Sequence, residues 1–441
     1  MTYQERKTYT ILNYGCQMNE SDAEEYAGIL EEAGYVVSDQ PLSLTDVVII
    51  NTCCVRESAE MKIWGKIGEF KRYKRERPDM ILVVAGCMAQ KDQEAGQKRA
   101  PFADIFLGPS KAKEFKTFLE GHQSVEPFVF TPADGARPDA IKRGKKVSAW
   151  LPIMYGCNKW CTYCIVPAVR GPERSRNLQE VLTEAKELAE AGYKEITLLG
   201  QNVNSYGLDL KNEDETFAKL LEAIAQVPGI ERLRFMTSHP RDLDIPTMDV
   251  MAKYKNICNH LHLPVQSGSD EILKRMNRGY TTDQYRHLVA ELRKRIPEIV
   301  LNSDLIVSCT GETGEQFMET LRFAEEMVFD QIYTFIYSRR SGTRAAEFED
   351  QIPEELKKER HYRLSEAQDK IGLAQMKLWE NKVTQVLVDG PTKNDDQVLC
   401  GRNAENKLIL WPKEDGGQVG DLIDVRVDKA QTFILKGRAL I

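Results

Sequence analysis

The chain has 441 residues, 42% hydrophobic and 29% charged, with a formal net charge of −7 and ten cysteines; that suffices for about three domains of ~150 residues and is ordinary for a globular protein. No apolar run reaches the ~18 residues of a membrane span, and "MTYQERKTYT" lacks the apolar core of a secretory signal, so the expected compartment is the cytoplasm. There, ten cysteines point to metal ligands or catalytic groups rather than disulfides, while the acidic balance argues against nonspecific nucleic-acid binding and leaves room for a local basic patch.

Residues 8 to 120 alternate short apolar runs, "TYTILNYG", "DVVIINT", "MILVVAG" and "ADIFLG", with helical patterns such as Glu20 to Ala33 and Arg56 to Arg77. That alternation predicts an open parallel α/β sheet. Residues 121 to 146 carry Gly, Pro and charge and read as a linker. A second alternating series follows, with strands "LPIMYG", "EITLLGQ", "RLRFMTS", "NHLHLPVQ", "VLNSDLIVS" and "QIYTFIYS". Six βα units are too few for a closed eight-unit barrel, so a partial (β/α)6 barrel is expected, with its site on the loops after the strands. A charged helix is expected from Pro353 to about Asn381, then "VTQVLVDG", "VLCGRN", "KLILW", "LIDVRVDKA" and "FILKGRALI", short strands of a small OB-like β-barrel. The expected domains are 7–123, 143–373 and 376–441.

The stretch "GCNKWCTYC" sets Cys157, Cys161 and Cys164 in one loop. Structural zinc normally takes four protein ligands, and the next cysteine is Cys258. A thioredoxin-type dithiol needs only "CTYC" and a smaller domain. A 4Fe–4S cluster held by three thiolates keeps one iron open. Cys16, Cys53 and Cys87 are separated by 37 and 34 residues, and each follows a predicted strand. The C-terminal ends of parallel strands share one edge, so these thiols can converge as a second cluster site; the bland reading is three buried structural cysteines. In "NTCC" the alternation of an extended segment predicts that Cys53 faces the site and Cys54 points away. Cys54, Cys258, Cys309 and Cys400 share no pattern and read as packed thiols.

The C-x3-C-x2-C loop after the first barrel strand resembles the radical S-adenosylmethionine superfamily. With "NYGCQMNESD", "NTCCVRESAE", "AGCMAQ" and "GCNKWCTYCIVPAVRGPERSR", nearly the whole chain resembles the methylthiotransferases, closest to the tRNA branch that makes 2-methylthio-N6-dimethylallyladenosine, and its last segment resembles the TRAM domain. The resemblance implies two 4Fe–4S clusters and S-adenosylmethionine. Cys157, Cys161 and Cys164 would hold the radical-generating cluster. Cys16, Cys53 and Cys87 would hold an auxiliary cluster carrying the sulfur to be inserted. It implies a methylthio group placed at C2 of N6-isopentenyladenosine 37, so the partners would be the anticodon stem-loop of tRNA and a one-electron reductant such as flavodoxin or ferredoxin. An aromatic C–H gives general acids and bases little to do, and no catalytic residue is expected beyond the cluster ligands.

S-adenosylmethionine would meet Gln201 and Asn202 after the second barrel strand, Ser267 and Gly268 after the fourth, and Ser303 and Asp304, which open the fifth-strand motif; each is otherwise a solvated strand-end residue. Two departures from the family pattern, "SCTGE" at 308–312 and "GTR" at 342–344, bear on the loops near the cofactor. Candidate RNA patches are Lys62 to Arg77, "KRGKK" at 142–146, and Arg339, Arg340 and Arg344. The rival functions are the same chemistry on threonylcarbamoyladenosine or on a ribosomal protein, and a non-enzymatic iron–sulfur protein that binds RNA.

Overall fold

The computed structural model describes residues 6–54, 57–121, 128–129, 137–138, 140–144, 147–210, 212 and 214–440. The chain forms two compact units: residues 1–144 with 154–158 and 165–174, and residues 145–153 with 159–164 and 175–441.

The first unit is built on a parallel sheet of order β2-β1-β3-β4-β5-β6. Its strands are β1 (Thr8–Tyr14), β2 (Val36–Val37), β3 (Val47–Thr52), β4 (Ile81–Gly86), β5 (Ile105–Leu107) and β6 (Phe128–Val129). The helices are α1 (Gln17–Glu32), α2 (Glu57–Glu76), α3 (Cys87–Arg99), α4 (Ala112–Leu119) and α5 (Val166–Arg170). Alternate residues of β3 serve opposite cores. Val47 and Ile49 pack with Tyr26, Leu30 and Phe115 of α1 and α4. Val48 and Ile50 pack with Ile63, Trp64, Ile67 and Phe70 of α2. A parallel sheet covered on both faces explains why these strands are continuous apolar runs.

The four strands expected from sequence are present; β2 and β6 are two-residue additions too short to leave a periodicity. The expected linker contains β6, and its end is tied to α1 rather than free. Arg137 pairs with Glu25 at 2.7 Å, Arg143 with Glu24 at 3.2 Å, and the Lys142 N–H donates to the Glu24 carbonyl. The basic linker matches an acidic helix face, which composition alone does not reveal.

In the second unit, β7 (Ser148–Pro152) precedes the cysteine-rich loop; in sequence that loop is flanked by two short strands, β8 (Met154–Tyr155), which belongs to the first unit, and β9 (Arg174–Ser175), where the division falls. There follow β10 (Glu195–Leu199), β11 (Arg232–Phe235), β12 (His260–His262), β13 (Val300–Val307) and β14 (Gln331–Ile336). They form two parallel three-stranded sheets, β11-β10-β7 and β12-β13-β14, with an isolated bridge between Leu233 of β11 and Ile257 in the segment before β12. This is the expected six-unit partial barrel, with a seam at its middle. Helices α6 (Leu178–Glu190), α7 (Phe217–Ala225), α8 (Ile245–Lys253), α9 (Asp270–Arg275), α10 (Thr282–Arg295) and α11 (Gly314–Met327) alternate with the strands.

Helix α12 (Glu354–Lys377) leads to a closed barrel of order β15-β16-β17-β19-β18 around Trp411, Val386, Val425 and Leu435. These strands are β15 (Val383–Pro391), β16 (Val398–Asn403), β17 (Leu408–Pro412), β18 (Leu422–Ala430) and β19 (Leu435–Ala439). Two arginines of β11 hold it. Arg234 donates to the carbonyls of Asn403 and Ala404, and Arg232 to those of Gln385 and Arg402. Among the described residues, no helix is long and apolar enough to cross a membrane.

Candidate functional site

In the first unit the register sets three strand ends level: Tyr14 lies opposite Thr52, and Thr52 opposite Gly86. Cys16, Cys53 and Cys87 follow these residues directly or by two positions. Gly86 has φ +94°, and a Cβ there would lie 2.4 Å from the Thr52 carbonyl, so only glycine allows this approach. Asn19 and Asn51 clasp the start of α1 to the end of β3: the Asn51 amide donates to the Asn19 carbonyl at 2.7 Å, and the Asn19 amide to the Thr52 carbonyl at 3.1 Å. Cys16 is exposed at the start of α1, where its thiol donates to the Asn19 side-chain oxygen.

Cys54 does not point away. It is 2% exposed and packs with Cys87, Ile165 and Val169; the strand ends at Thr52, so its alternation does not carry on to Cys54. Its thiol is a donor to Cys87: that hydrogen bond, with burial, pushes Cys54 up, and the same bond lowers Cys87 to about 6 against its own burial, aided by Arg170. Arg170, at the end of α5, is 7% exposed. Its Nη2 donates to Asp22 at 3.1 Å. Burial opposes its charge, but Cys87, Asp22 and Cys16 together hold it protonated. Its Nη1 is buried without a partner.

The Cys157 N–H donates to the Gly171 carbonyl within the first unit. Cys161 and Cys164 belong to the second, where the exposed C-terminal carbonyls of α9 capture the loop: the Thr162 N–H donates to the Met276 carbonyl and its hydroxyl to that of Arg275, both at 3.0 Å. The Asn277 amide donates to the Trp160 carbonyl, and the Trp160 side chain is 68% exposed. Arg278, 5% exposed, donates to the Cys161 sulfur at 3.3 Å, the Pro264 carbonyl at 2.8 Å and the Tyr280 hydroxyl at 3.1 Å. Asp242 joins the loop to a strand end, accepting from Lys159 at 2.8 Å and from the Asn202 amide at 2.7 Å.

The barrel strands share a further feature. After each of β10 to β14 lies a buried polar atom without a partner: Asn202 Oδ1 and both amide atoms of Asn204, Ser238 Oγ and His239 Nε2, Gln266 Oε1, Ser308 Oγ, and Tyr337 Oη. Thr237, Gln266 and Ser308 there have φ between +60° and +75°, a region non-glycine residues adopt at a cost and mostly at functional sites. His239 accepts the Arg241 N–H at Nδ1, so Nε2 carries the proton. Burial, then Arg278, Lys159 and Arg241, lower its pKa to about 2.

Several expected contacts have other partners. The Ser267 hydroxyl bonds that of Thr320, and a Cβ on Gly268 would lie 2.5 Å from Phe323 Cβ, so both pack against α11. Ser303 and Asp304 lie within β13, where the run "VLNSDLIVS" places them. The Ser303 hydroxyl donates to the Leu263 carbonyl and accepts the Val265 N–H, both at 3.0 Å, and Asp304 pairs with His262 at 3.3 Å. Gln201 is half-buried just past β10. In "SCTGE", Glu312 accepts the Ser308 N–H and pairs with Arg360, and Cys309 is buried with Ile272 and Met276. Of the basic patches, Lys62 to Arg77 is largely the outer face of α2, with Lys74 and Arg77 paired to Asp104 and Asp46. Arg143 is committed to Glu24, and Lys145 and Lys146 lie outside the described residues. Arg339 is exposed and donates to the Ala346 carbonyl, Arg340 is half-buried, and Arg344 is exposed.

A family model described as the radical SAM superfamily matches residues 151–324, and one described as uncharacterized protein family UPF0004 matches residues 8–108. Over 440 residues the chain is 44% identical to the tRNA-2-methylthio-N(6)-dimethylallyladenosine synthase of Desulforamulus reducens, covering 98% of this chain and 96% of the relative. The chain belongs to this synthase family. The enzyme of the same name from Carboxydothermus hydrogenoformans is 45% identical over 437 residues, covering 98% and 99%. Two solved structures share the family's fold. The radical S-adenosylmethionine methyltransferase TsrM from Kitasatospora setae, with cobalamin and a 4Fe–4S cluster bound, aligns with TM-score 0.55 at 15% identity over 77% of each chain. The cobalamin-dependent radical enzyme OxsB aligns with TM-score 0.52 at 14% identity, over 82% of this chain and 56% of that one.

Membership makes 4Fe–4S clusters and S-adenosylmethionine the cofactors, and the residues fit them. A cluster presents its irons at separate corners and asks for spaced thiolates beside compensating charge. Arg170 beside Cys87 and Cys16, and Arg278 beside Cys161, supply that charge. The unpartnered donors and acceptors after five successive strands suit a ligand carrying ammonium, carboxylate, hydroxyl and adenine groups.

Proposed function

We propose that this chain is a tRNA methylthiotransferase that replaces the C2 hydrogen of N6-isopentenyladenosine 37 with a methylthio group, giving 2-methylthio-N6-isopentenyladenosine. The observation that carries the reading is the 44% identity over 98% of the chain to synthases named for this product. When bound, two 4Fe–4S clusters and S-adenosylmethionine supply the electron, the hydrogen-abstracting radical, the sulfur and the methyl group.

The chain's own residues bind and orient. Cys157, Cys161 and Cys164 would hold the radical-generating cluster in a domain at 143–373, and Cys16, Cys53 and Cys87 the auxiliary cluster in a domain at 7–123. Gln201 and Asn202, with Ser238, His239 and Gln266, would meet S-adenosylmethionine, while Ser267, Gly268, Ser303 and Asp304 shape the wall. His239 would act as a neutral donor, since burial keeps its ring uncharged. No side chain is assigned as acid or base. The anticodon stem-loop would meet exposed Trp160 and Arg344 and half-buried Arg340, an aromatic face and cations suited to unstacked bases and phosphates. The β-barrel at 376–441 would add contacts read by shape, and a cytoplasmic flavodoxin or ferredoxin would deliver electrons.

The test is mass spectrometry of tRNA nucleosides from cells with and without the gene, paired with anaerobic turnover of isopentenylated and unmodified anticodon stem-loops. Turnover confined to the isopentenylated substrate is expected. Equal turnover of both, or turnover of threonylcarbamoyladenosine alone, would overturn the reading.

A further inference from the structure

A buried guanidinium ordinarily has its donors taken up, because a desolvated N–H without an acceptor is costly. Arg170 departs from this. It is 7% exposed, one terminal nitrogen is bound to Asp22, and the other has no partner. Its surroundings contain sulfur: Val169 and Ile165 of the same segment pack on Cys87 and Cys54, and the guanidinium interacts with Cys87 and Cys16. Asp22 is held in turn by the Ser110 hydroxyl at 3.4 Å. A donor fixed on one side and open on the other, among thiols, is suited to a soft anion.

We infer that the open Nη1 of Arg170 binds an anionic sulfur at the auxiliary site, thiolate or sulfide, making Arg170 a positioning residue that charge-balances what Cys16, Cys53 and Cys87 hold. This rests on the reading of those cysteines as cluster ligands. Two consequences follow from hydrogen bonding and local charge, which set the potential of an iron–sulfur site. Losing the cation disfavours the reduced, more negative state. Losing the carboxylate of Asp22 favours it.

The experiment uses full-length protein carrying Cys157→Ala, Cys161→Ala and Cys164→Ala, so that only the auxiliary site remains. Arg170→Gln, Arg170→Lys and Asp22→Asn are added singly. After anaerobic reconstitution, iron, acid-labile sulfide and the midpoint potential are measured. Arg170→Gln should shift the potential negative, Arg170→Lys should restore most of it, and Asp22→Asn should shift it positive. Opposite signs separate this role from a structural one, which would move both variants alike. A fall in sulfide per iron in Arg170→Gln assigns the contact to sulfide; parallel loss of iron and sulfide assigns it to a thiolate. If Arg170→Gln fails to fold, Asp22→Asn decides, and no shift or a negative shift overturns the inference. Unchanged potentials in all three variants also overturn it. Absence of a cluster in the parent would instead refute the cysteine assignment.

Discussion

Arg170 and Arg278 are both buried, and each stands beside a cysteine thought to hold iron. They differ in what remains open. Arg278 reaches Pro264, Tyr280 and Cys161, so its fork ties the strand end after β12 to the cysteine loop. Arg170 has Asp22 as a carboxylate partner, the Cys87 sulfur beside it and one nitrogen, Nη1, without a partner. The same side chain thus braces a loop in one place and retains binding capacity in the other. Burial alone does not distinguish structure from function; the count of satisfied donors does.

The largest expected effect separates the two thiol groups themselves. Replacing Cys157, Cys161 and Cys164 together by Ala should halve the iron of the reconstituted protein and abolish cleavage of S-adenosylmethionine; full iron content in that variant would break the division into two sites. Next comes "NTCC". Cys53→Ala should lose the auxiliary iron and the methylthiolated product while 5′-deoxyadenosine is still released. Cys54→Ala should retain both clusters, because that thiol serves Cys87 as a hydrogen-bond donor; iron analysis that finds the reverse would make Cys54 the ligand.

The arginines are compared by stability. Arg278→Lys cannot reproduce a fork shared by four acceptors, Tyr163 being the fourth, and should cost about 2–4 kcal/mol in unfolding, at ~1–3 kcal/mol for each buried partner left unmade. Arg170→Lys keeps a cation opposite Asp22 and should cost about 1 kcal/mol or less. Denaturant melts that give equal losses would erase the distinction. The smallest effect is at His239. Its folded pKa lies near 2, below the unfolded value of about 6.5, so the stability it contributes is present above pH 6.5 and declines as pH falls through the window between them. At pH 5.5 the protein should lose on the order of 1 kcal/mol relative to His239→Asn, read from melts at both pH values.

Much of this was legible in the sequence, and the failures have physical causes. The strand ends that carry Cys16, Cys53 and Cys87 follow from apolar runs of fixed spacing, and the register bears out their alignment. The five strands of the terminal barrel follow from the turn residues between them. Cys54 was misread because alternation holds only while the chain stays extended. Ser267 and Ser303 looked available at strand ends, yet Thr320 and the Leu263 carbonyl occupy them; sequence does not reveal which hydroxyl finds a protein partner first. Arg170 and Arg278 were not recognised, since an arginine in "AVRGPERSR" or "MNRGY" gives no sign of its burial. A helical-turn or strand-end location would have helped only with the neighbours known.

The joint made by Arg232 and Arg234 has an evolutionary corollary. Their acceptors are main-chain oxygens of residues 385 and 402–404, and every amino acid presents the same oxygen. The terminal β-barrel can therefore change its side chains at these positions without losing its bonds to β11, whereas a change of either arginine removes two of them. A module fastened by its backbone can diverge rapidly in surface chemistry while keeping its attachment to a fixed scaffold.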